Sequence, residues 1–297
     1  MQRNMDNSTL FNAPIIDTIR QRFSCRRFHE RPIDATKQQN LQAFMDSLSP
    51  GPFGAPIRFR LVAATQADRV SLRGLGTYGF IRAAAGFIIG AVEPSGKYLE
   101  DYGYMMEAII LHATGLSLGT CWLGGTFTKS GFARKIDLET SETIPAVTAI
   151  GEFIRPGQSR QGMVSDVANA SHRLPWESLF FDVQSGTSLN RATAGVYAMP
   201  LSMVRIAPSA SNKQPWRVFK DGQRWHFYLH RTPGYRRGPL KILLDLCDLQ
   251  RLDMGIALCH FELTAREMGL AGHWAVDDPL NPVCGSQIEY ITSWVRD

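Results

Sequence analysis

Three short stretches of the chain carry residue types whose spacing can do chemistry. In Arg22-Phe23-Ser24-Cys25-Arg26-Arg27-Phe28, residues 22, 24 and 26 alternate. Alternate side chains of an extended segment point the same way, so two guanidiniums and a hydroxyl would share one side. Forked arginine donors with a short Ser O–H suit a phosphate. The competing reading is a solvated basic turn before a strand. The second stretch, RIAPSASNKQPW at residues 205–216, sets Ser209, Ser211, Asn212 and Gln214 after Pro208. Each amide carries a donor and an acceptor and could meet the edge of a planar heterocycle. These residues equally serve to satisfy their own turn. The third, TCWLGGT at 120–126, places Gly124 and Gly125 after Leu123, where a backbone can approach a ligand closely or turn tightly.

Further along, Arg173 in HRLPWE (172–177) could add a charge to a phosphate site or stand on the surface. Other chemistries find little support. No GxxxxGK[ST] loop occurs and no GxGxxG directly follows an expected strand, so TCWLGGT is not read as a phosphate loop. Among the seven histidines only His226 and His230 have HxxxH spacing and no HExxH group occurs, so no metal is expected. GLSLG (115–119) has the GxSxG pattern but follows an expected helix rather than a strand, so it is not read as a nucleophile elbow. Glu107, inside an apolar helical stretch, reads as a partnered core carboxylate.

The elements that must position these residues emerge from a self-comparison. DYGYMMEAIILHATGLSLGTCWL (101–123) overlays DMGIALCHFELTAREMGLAGHWA (253–275), with Asp101 on Asp253, Leu111 on Leu263 and Trp122 on Trp274. Both stretches are apolar around most of the helical circumference, the pattern of a buried helix. Both open on an aspartate that could cap it. SPGPFGAPIRFR (49–60) likewise resembles APSASNKQPWRV (207–218), two proline-flanked loops leading into β-rich segments. With strands expected at 146–150 and 225–229, the pattern is a mixed α+β chain of two similar halves. The polar, Gly/Ser-rich stretch 182–190 marks the expected boundary, giving halves 1–182 and 183–297.

Composition bounds the partners. The 297 residues carry a net charge of +5, and their Lys and Arg are scattered rather than clustered, so neither nucleic acid nor membrane is expected. Five cysteines without CxxC spacing read as free thiols of a reducing compartment. The polar N-terminus lacks a signal-peptide pattern, and the expected location is cytoplasmic.

Together these motifs resemble the FMN-dependent nitroreductase family, in the branch where two such halves are fused. R-x-S-x-R-x-F, GLSLGTCWLGG (115–125) with IPAVTAIGE (144–152), SHRLPWESL (171–179) and APSASNKQPWRV (207–218) carry the resemblance. It implies a nitroreductase-like fold, an α+β pseudo-dimer within one chain with antiparallel-rich sheets flanked by helices. It further implies FMN held at the phosphate by Arg22, Ser24, Arg26 and Arg173. Leu123, Gly124 and Gly125 would lie against the ring, and Pro208, Ser209, Asn212 and Gln214 would meet the ring or ribityl edge from the other half. The first half's own loop lacks Asn and Gln, and the second half's opening has Gly195 where the second Arg belongs. One complete FMN site per chain follows, with no catalytic side chain, NADH or NADPH as donor, and a nitroaromatic, quinone or flavin as acceptor in a ping-pong hydride transfer through flavin N5. The expected state is a monomer. Gly124 stands where the family often has an acidic residue, which keeps open a flavin-storage or redox-sensing protein without turnover, or one that has lost FMN.

Overall fold

A computed structural model describes residues 11, 13–62, 81–125, 127, 129–153, 172–235, 247–277 and 288–297. The chain divides into two compact units, Met1–Ser165 and Asp166–Asp297.

In the first unit, α1 (Ile15–Gln21) and α2 (Ala35–Ser47) precede the strands, and Asp34 caps α2 by accepting from Thr36 N and Lys37 N. Then come β1 (Ile57–Val62), β2 (Gly86–Val92), α3 (Tyr98–Gly115), β3 (Gly119–Leu123), α4 (Lys129–Lys135) and β4 (Val147–Gly151). The four strands form a sheet in the order β1-β2-β4-β3, antiparallel at every pairing. Both central strands are apolar runs (GFIIGAV and VTAIG) buried at every residue, as a strand covered on both faces requires. Every residue of α3 from Leu99 to Ala113 except Tyr104 is buried. Tyr102 ties this helix to the sheet, donating to Ala146 O at 2.5 Å and accepting from Gly90 N at 3.1 Å. A Cβ at Gly90 would stand 2.6 Å from that ring, so only glycine allows the approach.

The second unit holds β5 (Phe180–Asp182), β6 (Thr187–Ser188), α5 (Arg191–Ala194), α6 (Ala198–Ile206), β7 (Trp216–Asp221), β8 (Arg224–His230), α7 (Leu249–Glu267), β9 (Gly272–Ala275) and β10 (Ile288–Arg296). Its sheet runs β6-β5-β7-β8-β10-β9, antiparallel except for the parallel β5–β7 pairing. The helix α7 is buried from Leu252 to Ala265, and α6 packs against it. The architecture is therefore α+β with antiparallel-rich sheets, as the sequence suggests.

Two expectations need correction. The boundary placed at 182/183 falls inside a hairpin of the second sheet. Asp182 Oδ1 accepts from Ser185 N at 2.8 Å, and Gly186 adopts φ 67°. The polar Gly/Ser composition thus reflects turn chemistry between β5 and β6 rather than a linker. The aspartates expected as caps do not cap either. α3 starts at Tyr98, ahead of Asp101, and α7 is capped by Asp248, whose carboxylate accepts from Gln250 N and Arg251 N. Asp101 and Asp253 are instead buried, because each is needed by a loop described below.

Candidate functional site

The phosphate-type motif sits where α1 gives way to extended chain. Arg22 adopts ψ 131°, Ser24 bridges Thr120 in parallel, and Cys25 N donates to Thr120 O at 2.7 Å. Running beside β3 forces the alternation the spacing implied. Cys25 is buried between the exposed Ser24 and Arg26, and the alternation ends at Phe28, which is buried. Arg22 behaves differently from its two companions. Its side chain is only 7 % exposed, its Nε lies 3.7 Å from the fully buried Glu107 carboxylate, and that Nε makes no hydrogen bond among the described residues. The other Glu107 oxygen accepts from Trp122 Nε1 at 2.8 Å, so Glu107 is a partnered core carboxylate. A nearly buried guanidinium next to an exposed Ser and Arg fits an oxyanion. Burial disfavours the thiolate of both neighbouring cysteines. Burial pushes Cys25 up to about 12, and it raises Cys121 despite the nearby Arg26 charge. Leu123 ends β3 in the core, with Gly124 and Gly125 half-buried after it.

The second unit contains the polar loop. After α6, Ser209 is extended, and Ala210–Asn212 form one 3₁₀ turn before β7. Ser211, Asn212 and Gln214 all have left-handed backbone, with φ of 51°, 53° and 48°. Asparagine takes this region readily, while serine and glutamine are strained there. Side chains hold the shape. Gln214 N donates to Ser209 Oγ at 2.9 Å, and Gln214 Oε1 accepts from Leu174 N at 2.8 Å. Asn212 Nδ2 donates to His172 O at 2.8 Å, and its Oδ1 accepts from Arg173 Nη1 at 2.9 Å. Arg173 Nη2 also donates to Ile206 O at 3.1 Å, and Arg217 closes the far end by donating to Gln214 O at 3.1 Å. From α7, Asp253 Oδ1 accepts from Ala210 N at 2.9 Å.

The structure thus gathers Arg173, Pro208, Ser209, Asn212 and Gln214 around one loop in the second unit, while Arg22, Ser24, Arg26, Leu123, Gly124 and Gly125 lie in the first. Arg173 was expected at a phosphate, yet the partners described for it are loop residues and the end of α6. Its guanidinium there joins the Asn212 side chain to the last carbonyl of α6. Three participants escaped the sequence reading, namely Asp101, Asp253 and the Arg22–Glu107 pairing. The overlay of Asp101 on Asp253 was the available signal for the first two. Among the described residues no group of three His, Cys, Asp or Glu could hold a metal ion, and no helix is long and apolar enough to cross a membrane.

A two-unit α+β architecture with a buried helix over each antiparallel-rich sheet is a nitroreductase-like fold. Residues 14–265 match the family described as "Putative TM nitroreductase". The chain belongs to this nitroreductase family, a family of oxidoreductases. A Thermotoga maritima structure described in the same terms is 18% identical with a TM-score of 0.59, covering 95% of this chain and 94% of that one. An FMN-dependent nitroreductase of Clostridium difficile, 18% identical, covers 52% of this chain and 93% of its own at a TM-score of 0.41. A Desulfovibrio desulfuricans nitroreductase-type structure in complex with FMN is 21% identical, covers 52% of this chain and 95% of its own, and has a TM-score of 0.38. No curated protein matches the sequence.

Proposed function

We propose that the chain is an FMN-dependent NAD(P)H oxidoreductase of nitroreductase type. The observation that carries this reading is the Arg22–Arg26 segment, where a nearly buried guanidinium with an unbonded Nε adjoins an exposed Ser24 and Arg26. Arg22, Ser24 and Arg26 hold the phosphate through charge-assisted hydrogen bonds. Leu123 offers an apolar surface, and Gly124 and Gly125 allow backbone to approach the ring. Pro208, Ser209, Asn212 and Gln214 form the polar loop for the ring or ribityl edge, and Arg173 orients Asn212. Each motif set is carried by one half alone, since the opening of the second half (residues 191–197) lacks the arginine spacing and the first half's loop lacks the amides. The family likeness supports this reading, as do the FMN-bound and FMN-dependent descriptions of similar structures.

Bound FMN would take hydride from a nicotinamide at N5 and pass electrons to a nitroaromatic, quinone or flavin acceptor in a ping-pong cycle. The protein's own contribution is binding, orientation and polarity, and no side chain is assigned a proton. The proposed working state is a monomer, which light scattering checks.

The deciding experiment is anaerobic titration of the flavin-loaded chain with NADH and NADPH. Bleaching of the flavin absorbance by either donor is expected, and a spectrum unchanged by both would leave a flavin store or sensor instead. Arg26→Ala should weaken FMN binding by about 1.5–3 kcal/mol, the usual worth of a charge-assisted hydrogen bond. Asn212→Ala should weaken it too, and an unchanged affinity there would remove the 208–214 loop from the site.

A further inference from the structure

A turn with three left-handed residues in four needs an anchor outside itself. Serine and glutamine in that region cost about 1 kcal/mol each. Most bonds that hold Ala210–Gln214 come from the turn itself or from residues 172–174, such as Asn212 N to Ser209 O at 2.9 Å and Lys213 N to Ala210 O at 3.2 Å. Asp253 is of another kind. It is rooted in the buried face of α7, is 2% exposed, and takes the N–H of Ala210, the residue on which the turn begins.

The second oxygen of Asp253 is more telling. Oδ2 is buried and has no hydrogen-bond partner among the described residues. A buried carboxyl that serves one donor and leaves an oxygen unsatisfied is costly for the fold, so packing alone does not account for it. Its counterpart Asp101 uses both oxygens, accepting from Phe53 N at 2.8 Å and Ala55 N at 2.7 Å. The second half therefore keeps a strained loop and an under-satisfied anchor, where the first has a relaxed loop and a satisfied one.

We propose that Asp253 is a positioning residue for the flavin, holding the 209–214 turn through Ala210 N so that the loop is preshaped for the ligand. This role rests on the FMN reading above. Burial keeps the Asp253 carboxyl well above the ordinary carboxylate range, and the neutral acid has the shape of an asparagine. Pre-shaping lowers the ordering cost that a ligand would otherwise meet on binding.

The test reads amide exchange at residues 210–214 in the full apo chain and, separately, FMN affinity by flavin fluorescence. Asp253→Ala should speed exchange of the turn by at least about tenfold and weaken FMN by about tenfold. Asp253→Asn, which keeps the acceptor and the neutral shape, should restore both to within about threefold of the parent. Ala210→Pro removes the donor and leaves α7 intact. Proline suits the first residue of such a turn after an extended Ser209, so this variant should match Asp253→Ala even if the alanine variant fails to fold. Unchanged exchange in the alanine and proline variants overturns the latch. Faster exchange with unchanged FMN affinity, or no rescue by asparagine, overturns the positioning role. A parent chain that binds no FMN overturns the flavin reading and this role with it, while exchange in the apo chain still shows whether the latch exists.

Discussion

The two units thread corresponding elements in one order and differ where chemistry is expected. Each has a helix, a proline-flanked loop, an antiparallel hairpin, a long buried helix and two further strands, giving β1-β2-β4-β3 in one and β7-β8-β10-β9 within the other. Each buried helix carries a glutamate on a tryptophan indole: Glu107 on Trp122 at 2.8 Å, and Glu262 on Trp274 at 2.6 Å. In the first unit the arginine facing that glutamate is Arg22 of the phosphate-type motif. In the second it is Arg266, one turn along the same helix. The segment after β6 shows the same divergence. Arg191 lies in a short helix, stacks over Trp176 at 4.2 Å and donates to Ser202. Similar element orders thus give a buried glutamate different arginine partners in the two units.

The loops diverge in the opposite sense. In the first, the left-handed position falls on Gly54 (φ 80°). In the second, the left-handed positions fall on Ser211, Asn212 and Gln214. Their aspartates follow suit. Two backbone donors offset burial at Asp101 and leave its carboxyl at about 6, whereas Asp253, with one donor, rises well above its ordinary range.

The largest expected effect separates the two glutamates. Glu107→Ala strands a half-buried indole and a nearly buried guanidinium and should cost about 3–5 kcal/mol in denaturant unfolding, weakening FMN as well. Glu262→Ala, whose arginine is partly in solvent, should cost about 1–3 kcal/mol and leave FMN affinity unchanged. Equal costs would break the comparison.

A pH series sharpens the aspartate contrast. A carboxyl whose folded value is raised contributes stability that is present below the unfolded value and lost as pH rises through the folded one. Between about pH 4 and 6 the parent should therefore lose up to roughly 3 kcal/mol relative to Asp101→Asn, from a shift of about two units. A parallel stability–pH profile for the two proteins would refute this.

The smallest effect tests backbone strain. Ser211→Gly should stabilise the chain by up to about 1 kcal/mol, and Gly54→Ser should destabilise it by a similar amount. Thermal unfolding of both variants checks the opposite signs.

Much of this layout was legible beforehand. The buried helices followed from apolar residues on nearly every face, and the loop from its prolines, serines and amides. The alternation at Arg22, Ser24 and Arg26 foretold an extended segment with Ser24 and Arg26 outward. Less legible was the place of Arg173, because a basic residue reads the same in sequence whether it meets a phosphate or a carbonyl. The stretch 182–190 misled because a tight hairpin and a linker share one composition.

Taken by itself, the amino-acid order determined the elements, their repetition, and which half kept which motif, because these depend on periodicity and turn chemistry within a few residues. Tertiary structure decided what the buried charges do. Asp101 meets a loop 46 residues away and Asp253 one 43 residues away. Glu107 and Arg22 meet only once the sheet sets α3 against the end of α1. Desolvation and hydrogen bonding of those groups arise from long-range packing, and local sequence does not encode which partner will be there.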